Sequence, residues 1–326
     1  MISQIAPPQI RATTGLELAA GLFTKCSSEL ATQLSISLTS GKKESKATPL
    51  RIGINGDVYG GMRAPLEVGT RRVDIAYVNP SSIVTMAYRG KGYYKEKMEL
   101  RVLGSFPSWD RIAIVVAKDL GVKSLRDIAD RRIPLRVSTR FSGVDNATYY
   151  TICAILALYG VSFAKIKRWG GMVQECPRPF SPERLHGIAH RSINAIFDEG
   201  ISTPDGWLDQ ALENGYEVLS LEPEVVKQLE SIGYTHATLP KSRFPQLEED
   251  ALTINFSGWS LVTHRWLPDQ VAYAAIETID ERQKVIPVDD EKPLDMKDLC
   301  RSTEKCPLQI PLHSGAEKYY KEKGYL

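Results

Sequence analysis

No apolar run in this 326-residue sequence reaches the roughly 18 residues that a membrane-spanning helix requires, so membrane insertion is not expected. Charge of one sign is equally scarce. The formal net charge is +2, and basic residues gather only at Lys42-Lys43 and at Lys318, Lys321 and Lys323. Nucleic-acid binding calls for a concentrated basic face and is not expected either. The five cysteines, Cys26, Cys153, Cys176, Cys300 and Cys306, are odd in number and scattered, which argues against a disulfide framework. Only Cys300 and Cys306 are placed to pair, and then only in an oxidising compartment. Residues 1–8 have neither a basic start nor an apolar stretch, so no secretory leader is visible. Lys25 stands where a lipoprotein cysteine at position 26 would be preceded by a small residue. As written, the chain is expected to be cytoplasmic; a leader removed ahead of Met1 would make it periplasmic or extracellular.

Catalytic and cofactor signatures are missing as well. There is no G-x-S-x-G elbow, no Walker loop and no G-x-G-x-x-G, since Gly53, Gly56, Gly60 and Gly61 have the wrong spacing. There is no H-E-x-x-H, and His186 and His190 share a helix face without a third ligand. No metal and no cofactor are expected. What is present is ordinary globular material, 43% hydrophobic and 25% charged, in a chain long enough for two lobes of about 150 residues.

Helix and strand patterns alternate, which predicts an α/β protein. Strands are expected at Ile10–Thr13, Leu50–Ile54, Val73–Val78, Leu100–Ser105, Ile112–Ala117, Leu135–Ser138, Ile193–Phe197, Leu252–Ile254 and Trp259–Thr263. Helices are expected over Leu16–Leu38, Ala64–Gly69, from Ser81 to Arg89, from Ser124, and over Asp145–Tyr159, Pro204–Asn214 and Pro268–Asp280. In open α/β sheets, ligands sit beyond the carboxyl ends of strands, where helix N-termini offer free N–H groups to anions. Three predicted turns fit that description: Thr13-Thr14-Gly15, Asn79-Pro80-Ser81-Ser82 and the stretch from Ser138 to Asn146. In the last, the hydroxyls of Ser138, Thr139 and Ser142 precede a helix, and the fork of Arg140 suits a carboxylate. Tyr59-Gly60-Gly61 would let backbone approach a ligand. Asp198 and Glu199 follow a strand, and alternation allows only one of them to face a cleft; Glu199 is favoured. Cys26 is a conceivable nucleophile only beside a basic partner, and its neighbours place it mid-helix.

The C-terminal segment Ile310–Gly324 (IPLHSGAEKYYKEKG) is similar to the closing helix of the TAXI-type binding proteins of TRAP transporters, which read P-x-H-x-G-A-x-x-Y-Y-x-E-x-G. The run VDIAYV at Val73–Val78, then Val102–Ser105, Ile112–Val116 and VKSLRDI at Val122–Ile128, resembles the same family's order of elements. The likeness covers most of the chain and thins between about 165 and 190. It implies a two-lobed type II periplasmic-binding-protein fold with two crossover strands and a central ligand cleft. Lobe I would be residues 1–106 plus 255–326 and lobe II residues 107–254. It also implies a small carboxylate ligand and TRAP membrane subunits as partners. By the same analogy Trp109 lies near one crossover and Trp259 at the other, both expected to line the cleft. Two departures stand out: the family's Gly-Gly-Thr-Tyr-Tyr-like loop is replaced by Thr14-Gly15-Leu16-Glu17-Leu18, and the usual export signal is not visible. These leave open a second reading, a cofactor-independent cytoplasmic enzyme on the same fold, such as a decarboxylase of aromatic acids, with Glu199, His264 or Cys26 as the reacting group.

Overall fold

The computed structural model describes residues 7–25, 36–37, 52–53, 61–143, 145–286, 288 and 292–326. Two compact units divide the chain: Met1–Trp109 with Ser257–Leu326, and Asp110–Phe256.

The first passage through unit 1 begins with α1 (Pro7–Lys25), a 19-residue helix. Pro7 and Pro8 occupy its first turn, where a missing N–H costs nothing. Thr14, Leu18 and Leu22 recur every four residues and are all buried. This overturns the strand expected at Ile10–Thr13 and the turn expected after it. The β-branched Thr13 and Thr14 suggest a strand locally, but the helical spacing runs through them and finds a partner face. The strand pair β1 (Ile36–Ser37) and β2 (Ile52–Gly53) follows, then α2 (Ala64–Gly69), β3 (Ile75–Val78), α3 (Ser81–Arg89) and β4 (Leu100–Phe106). Every residue of β3 is buried, as both faces of a covered sheet require.

Unit 2 opens with β5 (Ala113–Ala117) and α4 (Leu125–Arg131). Ser124 caps α4: its Oγ accepts from Arg126 N at 3.0 Å, and Asp127 Oδ2 accepts from Ser124 N at 3.1 Å. There follow β6 (Arg136–Arg140), α5 (Ala147–Leu158), α6 (Phe163–Arg168), β7 (Met172–Cys176), α7 (Pro182–Ala189), β8 (Ala195–Asp198), α8 (Trp207–Glu213), β9 (Tyr216–Val218), α9 (Pro223–Ile232), β10 (His236–Leu239) and β11 (Ala251–Ile254). Back in unit 1 the chain forms β12 (Trp259–His264), α10 (Asp269–Arg282), α11 (Met296–Cys300) and α12 (Ser314–Glu322).

The two main sheets have the same construction. Unit 1 runs β2-β1-β3-β12-β4 and unit 2 runs β7-β6-β8-β5-β9. Among the described strands of each, the one next to an edge runs antiparallel to its neighbours, β12 in the first and β5 in the second. Each of these is also the first strand after the chain changes units. A separate antiparallel hairpin, β10 with β11, belongs to unit 2.

The core of unit 1 joins α1, α10, α11 and α12 to the sheet through Leu18, Leu22, Leu103, Leu261, Ile276, Leu299 and Tyr320. Gly21 permits the closest approach: a Cβ there would stand 2.0 Å from Thr278 Cγ2 of α10. The motif His313-Ser314-Gly315-Ala316 docks α12. His313 Nδ1 accepts from Gly315 N at 3.3 Å, and Ser314 Oγ donates to Asp269 Oδ1 at 2.5 Å. A Cβ on Gly315 would stand 2.1 Å from the Asp269 carbonyl oxygen. The most family-like stretch of the sequence is thus a fastening for the last helix.

Candidate functional site

In unit 2 the parallel strands β6 and β8 are neighbours, with Thr139 opposite Phe197, so their carboxyl ends place Arg140 beside Asp198. Arg140 closes β6 rather than lying in a turn, as do Ser138 and Thr139. Its Nη2 lies 3.2 Å from Asp198 Oδ1 and also donates to Glu199 Oε1. From α7, Arg184 reaches the same carboxylate, Nη1 to Asp198 Oδ2 at 2.5 Å. Arg184 Nε donates to Ser138 Oγ at 3.0 Å, and its guanidinium carbon lies 5.6 Å from the centre of the Trp207 ring. Arg140, Arg184 and Asp198 are buried, while the Glu199 side chain keeps 15% of its surface. Arg184 Nη2 is buried with no hydrogen-bond partner among the described residues.

A third carboxyl completes the group. Asp110 Oδ1 accepts from Arg111 N at 2.8 Å and Oδ2 accepts from Gly200 N at 3.0 Å. Desolvation of this carboxyl, together with the charge of Glu199, pushes its pKa well above the ordinary carboxylate value. Asp198 goes the other way. Burial alone would raise it, but Arg140 and Arg184 outweigh burial and hold it below the ordinary value. Burial likewise opposes the charge on Arg140, and the carboxylates of Asp198 and Glu199 more than restore it. The buried guanidinium of Arg111 adjoins the group, its Nη1 donating to Asp110 O at 2.7 Å and to Asn255 Oδ1 at 3.1 Å, and Glu199 stands at the cluster's exposed edge. Phe141 and Phe180, exposed aromatics, lie next in sequence to Arg140 and to Pro179, whose carbonyl accepts from Arg184 Nη1 at 3.1 Å.

Several sequence expectations change here. Both Asp198 and Glu199 turn to Arg140, because β8 ends at Asp198 and strand alternation no longer governs Glu199. Arg140 is not a bare clamp; it is occupied by carboxylates of its own chain. Thr139 is fully buried and its hydroxyl donates to Phe197 O at 2.9 Å, which makes it a tie between strands. Ser142 is exposed, and both its amide and its hydroxyl donate to Glu175 Oε2, at 2.9 and 2.7 Å. Asp110 and Arg184 were not singled out from sequence.

Unit 1 has its own polar focus after β3. The hydroxyls of Ser81, Ser105 and Ser260 form a buried triangle with Oγ–Oγ distances of 3.0, 2.8 and 3.2 Å. Asn79 Nδ2 donates to Gly258 O at 3.1 Å. Gly258 has φ of +84°, and a Cβ there would stand 2.3 Å from Ser81 Oγ. Pro80 precedes α3 without a side-chain cap, and Ser82 Oγ is buried with no hydrogen-bond partner among the described residues. The neighbourhood offers hydroxyls and helix N–H groups.

The remaining candidates are dispersed. Thr14 is buried in the middle of α1, and so stands at no strand end. Trp259 is buried and stacked on Tyr77, centroids 5.5 Å apart, which makes it a core aromatic. Trp109 is half-buried at the last residue before unit 2. His264 ends β12 in unit 1, with Nε2 3.1 Å from Asp74 Oδ1. Tyr59 and Cys26 lie outside the described residues. The rings of His186 and His190 lie with centres 4.1 Å apart, tilted by 42°, and no three His, Cys, Asp or Glu residues among those described are arranged to hold a metal. No described helix is long and apolar enough to cross a membrane.

Two α/β units with this repeated strand order, crossed twice by one chain, make up a fold of the periplasmic-binding-protein type. The sequence model of the NMT1-like family matches residues 66–324, and the chain belongs to that family. Among solved structures, the periplasmic aliphatic sulphonate binding protein of Escherichia coli is 11% identical, with 78% of this chain and 68% of that chain covered and a TM-score of 0.34. A Xanthomonas citri protein bound to chloride ion is 8% identical over 82% and 93%, with a TM-score of 0.41. An ABC uptake transporter substrate-binding protein from Streptococcus pneumoniae with bound histidine is 10% identical over 78% and 87%, with a TM-score of 0.34.

Proposed function

We propose that this protein is a solute-binding protein that captures a small organic anion, a carboxylate or sulfonate, on Arg140 of unit 2. The observation that carries the reading is the Arg140–Glu199 pair. A buried guanidinium at the carboxyl end of a parallel strand is held by a side chain that retains exposed surface, and a ligand anion can replace that side chain one for one. Membership of the NMT1-like family supports a place in solute uptake, with delivery to membrane transport subunits and a periplasmic location rather than the cytoplasmic one expected from the visible N-terminus. The likeness of Ile310–Gly324 to TAXI proteins favours TRAP-type subunits among the transport systems.

The test is a thermal-shift and calorimetric screen of aliphatic and aromatic carboxylates and sulfonates, with every hit recovered and checked for chemical change. A ligand that binds only the folded state raises the unfolding temperature with its occupancy. Arg140→Lys keeps the charge but loses the two-pronged donor, and is expected to weaken binding by about tenfold or more while the circular dichroism stays that of the parent. Consumption of the acid would instead make the protein an enzyme, and equal affinity in Arg140→Lys would move the ligand elsewhere.

A further inference from the structure

Unit 2 carries a second charged region, at the other end of the strands from Arg140. The strand β6 runs from Arg136 to Arg140, so about 13 Å of extended chain separates the two ends. Three stretches of sequence meet at the amino end. Arg136 is paired with Met172 in register, and its Nε donates to Ser192 O at 2.8 Å, which joins the starts of β6 and β7 to the turn before β8. A Cβ on Gly171 would stand 2.3 Å from Leu135 O, so the segment entering β7 lies directly against the segment entering β6. Arg131, Arg132, Arg136, Lys167 and Arg168 are all exposed here. Arg131 donates to the carbonyls of Gly121 and Leu120, and Arg136 to those of Ser192 and Arg191. None of the five is ion-paired with a carboxylate among the described residues.

The acids along the border serve other cations: Asp119 pairs with Arg191, Glu217 with Lys123, and Glu222 and Glu224 with Arg126. Asp127 and Asp130 of α4 offset part of the charge, and Lys118, exposed after β5, adds to it. The basic cluster that the sequence does show is different. Lys318 lies 3.8 Å from Glu322 and Lys321 2.5 Å from Glu317, so their charges are matched within α12. Met172, 49% exposed, and the half-buried Trp169 place apolar and indole surface among the five cations. Guanidinium and ammonium groups without carboxylate partners attract phosphate headgroups, and an indole with an apolar neighbour suits the boundary between headgroups and acyl chains. We propose that this face of unit 2 is a docking surface for an anionic lipid bilayer, one that leaves Arg140 at the other end of β6 uncovered. The proposal stands on the charges of this face and does not need a solute at Arg140.

The experiment is co-sedimentation of the full chain with vesicles of phosphatidylcholine alone, and of phosphatidylcholine and phosphatidylglycerol in equal parts. The protein is expected to pellet with the anionic vesicles at about 0.1 M salt, to leave them at about 1 M, and to ignore the zwitterionic ones. Each basic residue at an anionic surface strengthens attachment roughly fivefold, so a triple variant, Arg132→Asn, Lys167→Gln and Arg168→Gln, is expected to bind about 100-fold more weakly. All three positions are exposed, and circular dichroism checks that the variant keeps its fold. Lys318→Gln with Lys321→Gln is expected to pellet as the parent does, and so is Arg140→Lys. No attachment to anionic vesicles at low salt overturns the proposal, as does equal attachment to both kinds of vesicle or attachment that the triple variant retains in full. Binding of a short DNA duplex that the triple variant loses, with no attachment to vesicles, would assign the face to nucleic acid instead. Each of these failures leaves anion capture at Arg140 untouched, since that is read from solute binding without vesicles.

Discussion

A buried arginine is tolerable only where carboxylates and hydrogen bonds replace the water it gave up, and two of them around one aspartate make that aspartate indispensable. Asp198 is such a residue, fully buried between Arg140 and Arg184. Asp198→Asn keeps the shape and removes the charge, leaving two cations facing Glu199 alone. The expected loss is about 3–5 kcal/mol of unfolding free energy, read from urea denaturation at neutral pH. The same residue gives a pH signature. Because its folded pKa is held below the ordinary 3.8, the stability it contributes is present above that value and is lost as pH falls through the folded pKa. Asp110 has the opposite sign. Its raised pKa means that stability falls as pH climbs from the unfolded value towards the folded one, and Asp110→Asn should remove that part of the profile. The Asp198–Glu199 pair and Arg140 were each visible in sequence; Arg184, and the meeting of Arg140 with the two acids, were not. Arg140 and Asp198 are 58 residues apart and meet only because β6 and β8 pair in parallel.

Secondary-structure elements were more legible than side-chain partners. The strands β3 and β5 could be read directly as unbroken apolar runs, and the helices α5 and α10 from the helical spacing of their apolar residues. The helix α1 was misread in its first turns because local β-branching competed with a helical face whose partner, α10, lies far along the chain. The last helix shows how a motif can be conspicuous for structural reasons. His313 Nδ1 can accept from Gly315 N only while that nitrogen carries no proton, and burial holds the His313 pKa below the usual 6.5. Nearby Asp269 opposes this shift, while Arg101 and His264 reinforce it. The stability His313 provides is therefore complete above pH 6.5 and declines as pH falls below it. His313→Asn is expected to keep a cap and remove this decline, and His313→Ala to cost about 1 kcal/mol at pH 8; thermal unfolding across pH checks both.

At the scale of the whole molecule, the repeated sheet order has a practical consequence. Unit 2 is continuous in sequence, its sheet and its charge cluster close within Asp110–Phe256, and the segments that enter and leave it hydrogen-bond to each other, Phe256 N to Asp110 O at 3.0 Å. Residues 110–256 expressed alone are expected to fold cooperatively, with a single denaturation transition and dispersed amide resonances; a molten chain would show that the cluster needs unit 1. The α/β class follows from the sequence itself, because hydrophobic alternation and helical spacing are local properties that each segment carries wherever it packs. Which charge meets which was decided by tertiary structure. Strand order is set by long-range pairing, and only that pairing brings Arg140, Arg184, the adjacent Asp198 and Glu199, and Asp110 from four separate places into one cluster.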